Sequence, residues 1–403
     1  MADQDRGVTG GVDTHKEFHV AAVVDEAGRI EGTSSFPATP AGYAQLVAWM
    51  SSFGPLERVG IEGTGSYGAG LARHLRDEGV DVVEVNRPNR QMRRQHGKND
   101  TVDAEAAARA ALNGSARSVP KTQDGIVESI RVLRIAFCSA RETRTRVANQ
   151  LRDLVLTAPD KLRTSLEPLQ TAARVERAAR FRPGPISDPL EATRMALRSL
   201  ARRYQALTED LDELRDQLDE LTVLANPALR AAKGVGVDVA SILLIAAGDN
   251  AERLHSEAAF AAVCGVSPIE ASSGQIVRHR LNRGGNRQAN HALWRIALVR
   301  LSNDPDTKAY AARRRAQGKT TRDILRCLKR YIAREVYGLL THEHSVPDIS
   351  DLRPTRIAAG ISLATAAERL DTWPARISEL ERGCLRNNEL ERQYRTWLIT
   401  RVA

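Results

Sequence analysis

Leu200, Tyr204, Leu207, Leu211, Leu214, Leu218 and Leu221 follow one another at alternating spacings of four and three residues. Such a stripe, with Glu, Asp, Arg and Gln between its members, predicts one long helix that must lay the seam against another helix. Two partners satisfy it: a second protomer, or an earlier helix in the same chain between Val127 and Leu156. The whole stretch from about 125 to 225 reads as helical, interrupted by a turn or loop at "FRPGPISDP", residues 181–189.

The first 115 residues read differently. "VTGGVDTHKEFHVAAVVDEAGRI" predicts two strands and "GTSSFPA" a third, followed by the amphipathic "AGYAQLVAWMSSF". A buried strand "ERVGIEG", a helix "GAGLARHLRDEG" and a strand "VDVVEVN" complete the series. A meander followed by βαβ units predicts a ribonuclease H-like α/β domain ahead of the all-α remainder.

Composition narrows the partner. The 403 residues carry a net charge of +9, and 51 of the 59 basic side chains are Arg, the better residue for forked contacts to phosphate. A polyanion, nucleic acid first, is the expected partner. Cys138, Cys264, Cys327 and Cys384 form no CxxC pair, which argues against a thiolate zinc site or a disulfide framework and fits a reducing cytoplasm. No apolar run reaches membrane-spanning length, and no signal peptide is expected.

Asp13 ends the first apolar strand and Glu62 a later one, while Asp100 and Asp103 open the alanine-rich "KNDTVDAEAAARAAL". Carboxyl ends of neighbouring strands converge on one crevice. Four carboxylates there repel unless a cation neutralises them, and hard oxygen ligands select Mg²⁺ or Mn²⁺. Helix capping by Asp100 is the competing explanation, compatible with metal ligation. "GTGSYG" with Glu84 on the next strand imitates a dinucleotide fingerprint, but Glu62 would repel a pyrophosphate and the meander does not suit a doubly wound sheet.

Further along, "LRAAKGVGVDVASILLIAAG" places Lys233, Gly234 and Gly236 in a tight turn, either a phosphate-gripping helix-hairpin-helix or a plain helical turn. Ser272 and Ser273 precede Gly274 and the basic residues Arg278, Arg280, Arg283 and Arg287. This is a nucleophile in a phosphate-binding setting or a basic loop that only grips a backbone. The tail, "ISLATAAERLDTWPARISELERG", resembles a phage-repressor helix-turn-helix, with Arg376, Ser378, Glu379 and Arg382 facing or flanking DNA; a capping subdomain is the alternative.

Together, "GVDTHK", "IEGTGSY", "KNDTVDA", "KGVGVDVASILL", "GVSPIEASSG" and "NRGGNRQANHAL" resemble the Piv-type DEDD transposases of insertion-sequence 110 elements, also called bridge-RNA-guided recombinases. The resemblance implies a RuvC-like domain over 1–120, with its acidic tetrad at Asp13, Glu62, Asp100 and Asp103. It implies a helical coiled-coil region over 121–226 and a mainly helical transposase domain over 227–345. The nucleophile directly before Gly274 then falls on Ser273. A helix-turn-helix-like tail at 350–403 departs from shorter relatives. The expected activity is metal-assisted, serine-dependent DNA strand exchange. The expected partners are donor and target DNA, a structured guide RNA, and a dimer or tetramer formed through the 200–221 seam. A junction-resolving endonuclease and a non-catalytic DNA-binding regulator are the alternatives.

Overall fold

The computed structural model describes residues 6–85, 99–344, 348–383, 385 and 387–402, divided between two compact units. Lys98 and Cys384 lie outside the described residues. The first unit spans 1–125 and 247–255; the second spans 126–246 and 256–403.

The first unit is built on a five-stranded sheet, β1 (Val8–Thr14), β2 (Phe18–Val24), β3 (Ile30–Pro37), β4 (Leu56–Glu62) and β5 (Asp81–Val85), in the order β3-β2-β1-β4-β5. β1, β2 and β3 pair antiparallel; β4 pairs parallel with β1, and β5 with β4. This is the meander-then-βαβ arrangement that the sequence pattern predicts, and it differs from a doubly wound sheet. Helices α1 (Pro40–Ser51) and α2 (Ala69–Asp77) cover one face. There Val12, Leu46, Met50, Ile61, Leu71 and Leu75 are fully buried.

The opposite face receives α3 (Asp100–Leu112), and here the sequence is tuned for close approach. Gly11 of β1 and Gly60 of β4 are register partners. A Cβ at Gly11 would lie 2.1 Å from the Ala108 nitrogen, and one at Gly60 would lie 2.6 Å from the Ala107 oxygen. With glycine beneath and Ala104, Ala107, Ala108 and Ala111 above, all buried, the helix backbone rests almost directly on the strands.

The second unit is helical. The long helices α4 (Ile126–Leu156) and α7 (Pro189–Ala225) pack along each other, with α5 (Asp160–Leu166) and α6 (Thr171–Ala179) between them in the chain. Val147, Leu151 and Val155 of α4 share a core with Leu197 and Ala201, against which Leu200, Tyr204 and Leu207 pack. The 200–221 seam is therefore met within the chain, the second of the two partners the sequence allows. Leu211 and Leu218 are each 1% exposed, so the buried part of that stripe is not free to join protomers.

After α7 come α8 (Pro227–Ala231), α9 (Val237–Ala247), α10 (Glu257–Val263), α11 (Arg287–Asn303), α12 (Pro305–Ala316) and α13 (Thr321–Thr341). Strands β6 (Ile269–Glu270) and β7 (His279–Arg280) form a small hairpin between α10 and α11. The tail folds as α14 (Leu352–Ala358), α15 (Leu363–Arg369), α16 (Pro374–Glu381) and α17 (Asn388–Val402) around its own core of Ala366, Ile377, Leu380, Tyr394 and Leu398. At its centre Arg356 pairs with Glu381, which also accepts the Tyr394 hydroxyl, so the buried charges are mutually satisfied.

Candidate active site

The glycine pair decides where the acids fall. Side chains two apart on a strand share a face, so Asp13 follows Gly11, and Glu62 follows Gly60, onto the side covered by α3. On α3, residues four apart form rows. Asp100, Ala104 and Ala108 make the row over β1, where Ala104 and Ala108 meet Gly11; Asp103, Ala107 and Ala111 make the row over β4, where Ala107 and Ala111 meet Gly60. Thr14 fastens the two strand ends together by donating its hydroxyl to the Glu62 carbonyl at 2.8 Å.

The result is a cluster with a member that sequence reasoning missed. Ligand atoms of Asp13, His15 and Asp100 all lie within 4.8 Å of one another, the one such group among the described residues. His15 Nε2 is 3.3 Å from Asp13 Oδ2 and 3.2 Å from Asp100 Oδ2. That nitrogen is buried, yet it meets neither oxygen in hydrogen-bond geometry. The signal was present in "GVDTHK": His15 stands two residues after Asp13, directly past the end of β1, where the chain turns toward β2. Glu62 and Asp103 lie outside the three-residue cluster, in the neighbouring row. Asp103 is only 6% exposed, so its carboxylate is shielded far more than that of Asp100, whose side chain is 37% exposed.

Asp100 does not cap its helix. Asn99 takes that position, its side-chain oxygen accepting from Thr101 N at 3.1 Å, because its extended backbone can turn the chain into the first turn. Asp100 is the first helical residue, and both acids complement the positive helix end.

His19, on β2, stacks on Tyr43 with ring centroids 5.6 Å apart and is fully buried. Burial pushes its pKa below the usual 6.5, only partly opposed by its contact with the Phe18 carbonyl. In "GTGSYG", Thr64 donates to the Glu84 carboxylate at 2.8 Å, so the acid that a dinucleotide ribose would need is already engaged.

In the second unit, Ser272 and Ser273 form the shoulder of a two-residue turn. Ser273 and Ile276 exchange both backbone bonds at 3.1 Å, and Gly274 takes φ +58° at the first central position, which suits Gly there. The two hydroxyls differ. Ser272 Oγ accepts from the Arg278 nitrogen at 3.2 Å, and Ser273 is exposed at the turn. Arg278, Arg280, Arg283 and Arg287 are all exposed around it. Cys264, nearby in sequence, is buried and its thiol is pushed up to about 12, which leaves it inert.

The other basic positions fare unequally. Lys233 is bound to Asp304 at 2.5 Å, and that pairing, with Thr307, holds the Asp304 carboxyl down at about 2. Gly234 takes φ +86° against Ile296, a packing reason for glycine, while Gly236 faces open space at the start of α9. Arg376 is exposed and Ser378 half-buried on α16; Arg382 is drawn instead to Asp219 of α7.

Comparison with known proteins finds matches over two separate stretches of the chain. A DEDD model of IS110 elements, described as Transposase, matches residues 10–158 and so includes all four acids and His15. A second, described as Transposase IS116/IS110/IS902 family, matches residues 226–312, which hold the GVG turn, both serines and the arginines after them. An "Insertion element IS110 uncharacterized 43.6 kDa protein" of Streptomyces coelicolor is 27% identical over 413 residues, covering 90% of this chain and 99% of the relative. Two transposase models in order along the chain, with a relative aligned almost end to end, establish that the protein belongs to the IS110 family of transposases.

Proposed function

We propose that this transposase exchanges DNA strands by serine-dependent phosphoryl transfer assisted by a divalent metal. The carrying observation is the convergence of Asp13, His15 and Asp100 on one point at the carboxyl end of β1. The two carboxylates offer the hard oxygens that Mg²⁺ or Mn²⁺ takes, and the buried imidazole nitrogen that makes no hydrogen bond is a softer donor that would favour Mn²⁺ over Mg²⁺. Glu62 and Asp103 complete the acidic edge. When bound, the metal supplies positive charge to the oxygens of a phosphodiester under attack.

The chain's own groups do the rest. Ser273 is the nucleophile: its oxygen bonds to phosphorus as the bond to one sugar oxygen breaks, and the serine proton leaves with that oxygen. Attack by another strand's hydroxyl then releases the serine and joins the new ends. Ser272 is the poorer candidate, because its oxygen already accepts the Arg278 N–H. Arg278, Arg280, Arg283 and Arg287 offset the phosphate charge. Protein assembly into a dimer or tetramer and guidance by an element-encoded RNA belong to the same proposal. They rest on the family resemblance and the basic balance of the chain.

The test is strand exchange between donor and target DNA by purified protein, with Mg²⁺ or with a chelator, and with RNA that co-purifies retained or digested. Exchange that persists after chelation would sink the metal, and exchange indifferent to RNA digestion, with no RNA enriched, would sink the guide. A Ser273→Ala protein that still completes exchange would point to a junction-resolving nuclease instead. Unchanged function in Asp13→Ala, with loss on removing 351–403, would point to a DNA-binding regulator.

A further inference from the structure

The residues that a repressor-like tail would turn toward duplex DNA do not stand clear in this protein. Arg376 and Glu379 of α16 line a cavity of about 1410 Å³ whose other wall is the Gly234–Gly236 turn with the start of α9. That volume exceeds the roughly 300–1,000 Å³ of an ordinary small-molecule pocket, which favours a segment of polymer. Reading a major groove requires a helix to enter a channel about 12 Å wide. With α16 facing a protein wall, a duplex cannot take that position.

The cavity has the chemistry of an anion site from two sides. The N-terminal ends of both α9 and α16 border it, and each brings the positive end of a helix dipole. The α16 start has no side-chain cap. Independently, Arg230 lines the cavity at 3% exposure, and its Nε has no hydrogen-bond partner although its other nitrogens are bound to Asp219 and the Val235 carbonyl. A guanidinium nitrogen without an acceptor is a cost, and a phosphate oxygen that displaced the side chains covering it would remove that cost. Trp373, at the N-cap of α16 and 77% exposed, stands at the same cavity with nothing burying its indole.

Resting on the reading of the chain as a DNA-handling transposase, we propose that this cleft holds one unpaired nucleic-acid strand. Its phosphates lie against Gly236, Arg376 and the wall that contains Arg230, and a base stacks on Trp373. Stacking on an aromatic face tolerates any base, and the cleft holds the backbone by charge, so the site grips a strand without reading its sequence. The most exposed of the four tryptophans suits a chain with few aromatic residues: one platform fixes the strand and charge does the remainder.

The test uses the full-length protein and three fluorescent oligonucleotides of one sequence: single-stranded DNA, single-stranded RNA and duplex DNA, each followed by anisotropy. Trp373→Ala and Arg376→Gln are expected to weaken single-strand binding about tenfold each, with duplex binding unchanged. Single strands should also quench tryptophan emission in the parent protein and lose most of that quench in Trp373→Ala. Whichever of RNA and DNA binds more tightly identifies the strand. Variants that weaken only duplex binding, or none of the three, overturn the cleft while leaving the transposase reading intact. A parent protein that binds no nucleic acid would instead overturn that reading. Both side chains are exposed, so neither variant threatens the fold.

Discussion

Every residue from Ala271 to Leu281 is exposed, whereas Asp13 on β1 is 8% and Asp103 on α3 6% exposed, where that helix rests on glycine. The two candidate centres are thus built in opposite ways. The acids are fixed by backbone packing before any substrate arrives, as a metal site needs, since ligands must be held against their own repulsion. The serine sits on a short hairpin that has no buried contact, and even Ile276 and Val277 at its tip are 68% and 79% exposed. If Ser273 is the nucleophile proposed above, its surroundings would be supplied by whatever docks on this hairpin.

The contrast can be broken in order of effect. Ser273→Ala is expected to abolish strand exchange without changing the melting temperature, because the side chain supports nothing. Asp13→Asn should lower exchange by about a thousandfold, the scale of several kcal/mol of transition-state charge stabilisation, and weaken Mn²⁺ binding measured by calorimetry. Gly11→Ala drives a Cβ into the α3 backbone and should destabilise the first unit by about 3 kcal/mol, read by denaturant unfolding, with activity lost as a consequence. A Gly11→Ala protein as stable as the parent would show that the helix does not rest on the strands. Ser272→Ala removes two exposed hydrogen bonds to the Arg278 backbone, together worth about 1 kcal/mol, and should slow exchange only severalfold.

The smallest effect is a pH dependence confined to the first unit. Burial keeps His19 neutral in the fold, with its pKa below the 6.5 of the unfolded chain. As pH falls below about 6.5 the unfolded chain takes up a proton that the folded one refuses, so stability declines toward acid and recovers toward neutral. His19→Phe should flatten the melting temperature between pH 5.5 and 7.5 relative to the parent. An unchanged slope would assign the dependence to other groups.

What could be read beforehand follows the same division. Strand alternation, the acids at strand ends and the alanine-rich helix were legible because each is a local pattern, and the sheet order follows from them. His15 was less legible because it stands just past the end of β1, where the chain turns and strand alternation no longer fixes which side a residue takes. The capping role went to Asn99 because adjacent Asn and Asp are equivalent by propensity, and only the backbone angles choose between them. The heptad seam declared that a partner must exist, but a stripe of leucines carries no label for the chain that meets it. Nor could spacing reveal that Arg376 and the GVG turn share one cavity, since 140 residues separate them.

Because Gly11 and Gly60 let α3 touch the sheet backbone to backbone, no compressible layer of side chains lies between them. A helix mounted in this way can slide or lift only as a whole. It would carry Asp100 and Asp103 away from Asp13 and Glu62 in one movement, so the acidic edge is assembled or dismantled as a unit. Cation loading should therefore be all-or-none with respect to α3, and the slowing of amide exchange along Ala104–Ala111 on adding Mn²⁺ would register it far from any ligand atom.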